Sequence, residues 1–290
     1  MKDLLKFMGC WAAFLVATVA GGVLIHLLNL RLNIPGENTP QTIRTVAFVV
    51  GGGVLVVGLW PLARGLAGSI GARIAIVGVF VFLALGVNTI LDSVIYTTML
   101  DGAIPANVLM YGLQALLVGC ALGFWFGRAE QADGFPRRNW MVWTGRAVIA
   151  WLAWPVIYLF FGSCIAPIMV PYYQNGSVTW LHLPPMSTIV MMQLVRSAIF
   201  LVASLPVIAL WKRSRRGLWL ALGLAHAVTV GIYGLAAATF LPAVMRVTHG
   251  VEITCDSFAY AGLLVLLFSA PEAKKAAAAT ARHDAPLPAL

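Results

Sequence analysis

The stretch that decides the fold is residues 147–195, AVIAWLAWPVIYLFFGSCIAPIMVPYYQNGSVTWLHLPPMSTIVMMQLV, which contains no aspartate, glutamate, lysine or arginine. A helix needs about 20 apolar residues to cross the hydrocarbon layer of a bilayer. This run is too long for one crossing and has a suitable length for two. The proline-rich and polar segment 171–185 marks the break between them. We therefore predict a fifth span at 147–170 and a sixth span at 186–211.

The composition of the whole chain agrees with a lipid environment. Of its 290 residues, 61% are hydrophobic and only 10% are charged, whereas soluble domains carry roughly 25% charged residues. The net charge of +9 would suggest nucleic acid in a soluble protein. However, the chain has no basic stripe interleaved with aromatic residues and no nucleic-acid motif. The lipid bilayer is therefore the predicted partner, and nucleic acid is not.

Six further spans are predicted from the other apolar runs, at residues 7–30, 45–63, 74–96, 108–127, 217–241 and about 252–270. The last is the weakest, because its charge-free part, 257–270, is too short to cross alone. It crosses only if the helix begins near Glu252 and takes Asp256 into the membrane edge. The fold class predicted is an all-α bundle of eight transmembrane helices over 1–270. The alanine- and lysine-rich tail, 271–290, is predicted to be disordered and cytoplasmic.

The basic residues predict the orientation of this bundle. With the N-terminus inside, 15 of the 19 lysines and arginines fall on the inner side, and only Arg31, Arg44 and Arg246 on the outer side. Positive charge marks the cytoplasmic side, so both ends are predicted to be inside, in a bacterial-type inner membrane. The inner set is Lys2, Lys6, Arg64, Arg73, Arg128, Arg137, Arg138, Arg146, Lys212, Arg213, Arg215, Arg216, Lys274, Lys275 and Arg282.

Two other patterns leave alternatives open. Residues 1–20 resemble a cleaved signal in their basic start and small residues, but the apolar run continues to Leu30 and favours an uncleaved first span. The string Asp-Ser-x-x-Tyr occurs at 92–96 and again at 256–260. The copies fall in spans three and eight, which are not equivalent in a four-plus-four repeat, so we interpret the match as coincidence.

Polar side chains at membrane depth are candidate functional groups, because burying them costs energy unless they are paired. On the predicted topology they lie mostly in the outer half, which suggests a cavity open to the outside. The set is His26, Asn29, Asn88, Asp92, Gln114, Tyr158, Cys164, Gln193, Arg196, His249, Glu252, Cys255 and Asp256. In the inner half, His226 shares a helix face with Thr229 and Tyr233 and is interpreted as an interhelical hydrogen-bonder.

One helix face of the eighth span carries His249, Glu252, Asp256 and Tyr260, at spacings of three, seven and eleven residues. Three interpretations remain open. The acids could form a solvated helix start, where negative charge is favourable. They could exchange protons or bind a ligand. They could hold a metal with help from Asp92, His26 or His182; our prediction includes no metal and no cofactor.

Arg196 lies about nine residues, roughly 14 Å at 1.5 Å per residue, below the predicted outer surface. A charge at this depth needs a counter-ion, and Asp92 and Asp256 are the embedded candidates. The pair could lock helices together. Alternatively, the guanidinium could bind an anionic or lipid-headgroup-like ligand, with Gln193 beside it, or the side chain could extend to the surface.

Catalytic motifs are mostly missing from the sequence. It has no H-E-x-x-H, no G-x-S-x-G and no Walker lysine loop. The four cysteines form no C-x-x-C pair, although Cys164 and Cys255 could form a disulfide if they are adjacent. An enzyme is therefore not the favoured class.

The function predicted is a proton-linked carrier or permease for a small polar or anionic ligand. Its ligand- or proton-binding residues would be Arg196, Asp92, His249, Glu252, Asp256, His26 and Gln193. Two rival classes are a membrane enzyme that uses His249, Glu252 and Asp256, and a non-catalytic subunit that assembles with another membrane protein.

Overall fold

A computed structural model of the protein describes residues 2–31, 39–98, 102–130, 139–174 and 180–269. In these ranges, eight helices are long and apolar enough to cross a membrane. This confirms the predicted all-α bundle of eight spans. The helices are α1 (Lys2–Leu27), α2 (Gln41–Gly65), α3 (Ile70–Tyr96), α4 (Ile104–Trp125), α5 (Trp140–Gln174), α6 (Met186–Leu210), α7 (Arg215–Ala237) and α8 (Ala243–Phe268).

The outer surface of the bundle is apolar, as a lipid-facing surface must be. On α5, Ile149, Val156 and Phe160 are all more than half exposed. A soluble protein would not expose a continuous row of such side chains. The large buried side chains, such as Phe14, Phe80 and Phe200, form a separate core between the helices.

Helix boundaries are where the sequence prediction erred. The break predicted at 171 is too early, because α5 continues through Pro171 to Gln174. The start predicted for α8 near Glu252 is wrong, because this helix begins at Ala243, directly after Pro242. Proline fixes a backbone angle suited to a helix start, and the polar first turns made this part of the helix look like a loop. The tail 271–290 lies outside the described residues.

Two helices contain a wider, π-helical segment at equivalent places. In α3 it covers Phe82–Val87 and in α7 it covers Val228–Ile232. Such segments interrupt the regular hydrogen-bond ladder and often occur at functional sites. Both lie in the second half of their helix, toward the end of the bundle that carries the cavity described below.

Further contacts recur between α1–α4 and α5–α8. The indole Nε1 of Trp11 donates to the carbonyl of Val49 on α2 at 2.9 Å, and Trp151 donates to the carbonyl of Leu194 on α6 at 2.8 Å. At the helix N-termini, Ser69 caps α3 and Ser214 caps α7 through the same type of side-chain bond. These matched contacts relate the first four helices, α1–α4, to the last four, α5–α8, and we call these the two four-helix units.

The two four-helix units meet at their equivalent connections. Leu66, after α2, and Trp211, after α6, form an antiparallel backbone bridge. The indole of Trp211 occupies the space that a side chain at Gly65 would need, since an added Cβ would lie 1.9 Å from its ring. The two Asp-Ser-x-x-Tyr strings remain on non-equivalent helices, α3 and α8, as predicted.

Positive charge is concentrated at the end of the bundle where α1, α3, α5 and α7 begin. Burial, together with the nearby charges of Arg128 and Arg64, lowers the pKa of Arg213 in the connection before α7. The positive-inside rule assigns such an end to the cytoplasm, and this orientation stays a prediction. The described basic residues at this end are Lys2, Lys6, Arg64, Arg73, Arg128, Arg146, Lys212, Arg213, Arg215 and Arg216.

Candidate functional site

A cavity of about 660 Å³ lies toward the opposite end of the bundle. All eight helices contribute to its wall, and it extends to Thr97 and Leu181 in the connecting segments. These two residues form a backbone bridge at that end. Its volume falls within the range of roughly 300–1,000 Å³ that is usual for small-molecule sites.

Helix α8 places His249, Glu252 and Asp256 in the cavity wall. Since α8 begins at Ala243, Glu252 and Asp256 lie about 14 and 20 Å along the helix axis from its start. The side chains are almost fully buried, with 5% and 2% of the two residues exposed. The interpretation of these acids as a solvated helix start is therefore wrong. Their placement on one helix face, which the spacing predicted, matches the structure.

His249 and Glu252 form a hydrogen-bonded pair within the cavity wall. The Nδ1 atom of His249 lies 2.8 Å from Oε2 of Glu252. On its other side, Nε2 of His249 lies 3.5 Å from the hydroxyl of Tyr173, near the end of α5. The carboxylate orients the imidazole ring, and the bond suits either a neutral or a protonated histidine.

Asp256 has a different environment from Glu252. Its Oδ1 atom is buried and, among the described residues, has no hydrogen-bond partner. A buried polar atom without a partner costs free energy, so this oxygen is suited to meet a proton or a ligand. Because Glu252 precedes Asp256 by four residues, the two carboxyl groups lie next to each other on the helix surface.

Arg196 is buried on α6 and forms an ion pair with Asp92 of α3. Its guanidinium also donates to Oε1 of Gln193 at 3.4 Å, and this same oxygen accepts the indole N–H of Trp154 at 2.9 Å. Asn88 lies 3.5 Å from the second carboxylate oxygen of Asp92. The expected counter-ion is thus Asp92, and the alternative in which Arg196 extends to the surface is wrong.

Other predicted site residues lie elsewhere. His26 is exposed on α1 and is not among the residues that line this cavity. Gln193 lies behind the wall, where it holds Arg196 and Trp154. Below the cavity, Nε2 of His226 lies 2.8 Å from Oγ of Ser204, which confirms an interhelical bond between α7 and α6.

Two predicted arrangements of ligand-type side chains are not formed. Cys164 and Cys255 are free, so the disulfide alternative is wrong. Within the ranges that the structure describes, no group of three or more histidine, cysteine, aspartate and glutamate side chains is placed to hold a metal ion. The metal alternative for the α8 cluster therefore has no geometric support.

Of the aromatic residues in the wall, only Tyr158 was among the polar side chains expected to line the cavity, and Tyr96, Tyr173 and Trp154 were not. The hydroxyl groups of Tyr96 and Tyr158 lie 3.2 Å apart across α3 and α5, and Tyr173 and Trp154 line the same space. Tyr96, Tyr173 and Trp154 are apolar enough to be counted as ordinary span residues, so only the meeting of the helices identifies them as cavity residues. The part of the wall formed by α1 and α4 carries uncharged polar groups. There, Gln114 of α4 donates to Thr18 of α1 at 3.1 Å.

These features define the class of the molecule, which is a multi-pass membrane protein whose helix bundle encloses a cavity with paired and unpaired charges. Comparison of the chain with models of protein families, with curated proteins and with solved structures finds no match.

Proposed function

We propose that the protein is a proton-linked carrier that binds a small polar ligand in the cavity, in a bacterial-type inner membrane. The observation that carries this proposal is the buried Asp256 carboxylate, which lines a cavity of about 660 Å³ with one oxygen unpartnered among the described residues. A static helix bundle gains nothing from such a group, because burying an ionisable side chain without a full set of partners costs energy.

Proton exchange is the chemistry that these groups support. The charged or titratable groups around Asp256 are Glu252 and His249 on α8, Arg196 on α6 and Asp92 on α3, with tyrosines from α3, α4, α5 and α7. Two neighbouring carboxyl groups favour the uptake of one shared proton. A ligand that enters the cavity would change this balance and so exchange with protons.

The repeated architecture also favours a carrier. Transporters are commonly built from internal repeats, with the binding site between them and with interrupted helices beside it. Here both four-helix units line the cavity, and Val230 and Gly231 of the π-helical segment Val228–Ile232 are part of its wall. The other π-helical segment, Phe82–Val87, ends directly before Asn88, whose side chain donates to the carbonyl of Val230 at 3.4 Å. Movement of one unit against the other would open the site to the second side of the membrane.

Accessibility of a cavity cysteine tests the carrier proposal without a known ligand. After replacement of the four native cysteines, Ser93→Cys places a thiol in the cavity wall. Thr98→Cys and Gly71→Cys serve as matched controls at the two ends of the bundle, where both positions are exposed. A membrane-impermeant maleimide is applied to right-side-out and to inverted vesicles.

A carrier predicts that Ser93→Cys is labelled from both sides, whereas each control is labelled from one side only. Labelling of Ser93→Cys from a single side, in all conditions of pH, would overturn the carrier proposal. Labelling of both controls from the same side would overturn the predicted topology.

A membrane enzyme is the second candidate, favoured by the 2.8 Å contact between His249 and Glu252. A histidine that is oriented by a carboxylate is suited to act as a general base. An enzyme needs no inward opening, so one-sided labelling of Ser93→Cys together with intact folding would favour it. A non-catalytic subunit would tolerate Glu252→Gln in every assay and would be recognised by a co-purifying membrane partner.

An anionic or lipid-headgroup ligand at Arg196 is less well supported by the geometry. Two nitrogens of the guanidinium are engaged, Nη2 by Asp92 and Nη1 by Gln193, while the buried Nε has no hydrogen-bond partner among the described residues. A second anion would have to bind through Nε close to the Asp92 carboxylate or displace a buried ion pair.

A further inference from the structure

When every carboxyl group is ionised, the charges of the cavity do not balance. The pair formed by Arg196 and Asp92 cancels, which leaves Glu252, Asp256 and His249. If His249 is protonated, it cancels the charge of Glu252, to which it is hydrogen-bonded. Asp256 then remains alone. With ionised carboxyl groups, the cavity is therefore negative in either state of the histidine.

Tyrosine rings lie near Glu252, one helical turn from Asp256. Tyr96, Tyr158 and Tyr173 all lie within electrostatic range of Glu252, and Trp154 lines the cavity beside them. Aromatic faces attract cations, more strongly when water is excluded. An ammonium or other onium group would meet a carboxylate and several rings together, while an anion would meet the same acids and an arginine whose charge is already paired with Asp92.

We infer that the cavity binds a monovalent organic cation with an apolar body, whose charged group lies against Asp256 within the tyrosine-lined wall. This inference rests on the proposed function, since it names the substrate class of the same site. In the carrier, a proton and the cation would compete for Asp256, so binding of the cation would release a proton to the solution. The process requires no covalent step.

Two probes of the same shape and opposite charge test the inference. Radiolabelled tetraphenylphosphonium and tetraphenylborate are measured by equilibrium binding to the full-length protein in nanodiscs. The variants are Asp256→Asn, Asp256→Glu and, as a distant control, Asp3→Asn, whose exposed carboxylate lies 4.0 Å from Arg64 at the other end of the bundle. Partition into lipid is subtracted with empty nanodiscs, and folding is checked by size-exclusion chromatography and thermal melting.

The expected result is saturable binding of the phosphonium by the wild type, Asp256→Glu and Asp3→Asn. Binding is expected to weaken at least about tenfold in folded Asp256→Asn, as a loss of one charge contact implies. Proton release on binding, measured in a weakly buffered solution, is expected to disappear in the same variant. If Asp256→Asn does not fold, two other measurements test the contact between Asp256 and the cation. One is binding of the phosphonium by Asp256→Glu, which should be retained, and the other is competition between the phosphonium and protons.

Three results would overturn the inference. One is stronger binding of the borate, another is binding of neither probe, and the third is phosphonium binding that Asp256→Asn leaves unchanged. None of these results bears on the two-sided labelling of Ser93→Cys, so the carrier proposal and the cation inference fail separately. Cation binding with one-sided labelling would support the ligand class and reject the carrier.

Discussion

Arg196 of α6 and Asp92 of α3 form an ion pair in which the arginine side chain is 5% exposed and the aspartate side chain 37% exposed. The pair thus joins a buried cation to an acid that faces the cavity. It ties the two four-helix units together, because α3 belongs to one unit and α6 to the other. The contact gives Arg196 a structural role in holding α3 and α6 together, and this role takes precedence over a role in ligand binding.

Removal of one partner of this pair should destabilise the protein strongly. For Asp92→Asn we expect a loss of about 3 kcal/mol, because the buried guanidinium would lack its counter-ion. The loss of stability in the double variant, Asp92→Asn with Arg196→Gln, should be smaller than the sum of the losses in the two single variants by at least about 1 kcal/mol. Unfolding titrations in mixed micelles measure both. Additive losses in the double variant would show that the pair is not coupled.

Close packing of α3 against α4 depends on Gly119. A Cβ at this position would lie 2.7 Å from the Cα of Gly78, so Gly119→Ala should push the helices apart and cost about 1–3 kcal/mol. Gly22→Ala is the matched control, because nothing lies within 4 Å of a Cβ built there. It should be neutral or slightly stabilising. Thermal melting in detergent compares the two variants, and equal melting temperatures would contradict a role of Gly119 in this close packing.

The matched indole bonds of Trp11 and Trp151 should have similar energies. Each variant, Trp11→Phe and Trp151→Phe, removes one hydrogen bond between the first and second helix of its unit. We expect a loss of about 1 kcal/mol in both. Trp140→Phe, at an exposed position, is the control and should have a smaller effect. A large loss in one variant and none in the other would argue against equivalent units.

Infrared spectroscopy should detect the protonation of the cavity acids. On acidification, a carboxyl C=O stretching band should appear that is reduced in Glu252→Gln and in Asp256→Asn, because the shared proton needs both groups. Asp3→Asn removes an exposed acid at the other end of the bundle. In the Asp3→Asn background, Glu252→Gln and Asp256→Asn should reduce the band by the same amount as in the wild-type background. A band that is insensitive to both cavity variants would exclude proton exchange at this pair.

Much of the fold was predictable because apolar length is a local property of the chain. The run 147–195 predicted two spans, and the structure has α5 and α6 there. Errors arose where polar residues lie inside a helix. His249 and Glu252 made the first turns of α8 look like a loop, because a local count of apolar residues cannot detect that a polar side chain faces a cavity instead of lipid.

The candidate site was predictable only in part. Spacing along α8 placed His249, Glu252 and Asp256 on one face, and depth predicted a counter-ion for Arg196. The choice between Asp92 and Asp256 depended on which helices meet, and so did the exposure of His26. Tyr96 and Tyr173 gave no signal, because each is an ordinary residue of a membrane helix until another helix brings a carboxylate beside it.

The amino-acid sequence by itself determined that the described part of this chain forms eight helices able to cross a membrane, since a run of apolar residues can satisfy its backbone in lipid only as a helix. The tertiary structure alone decided which ionisable groups neutralise each other and which remain uncancelled around a cavity. The physical reason is that charge pairing acts over a few ångströms in space, between helices that lie far apart along the chain.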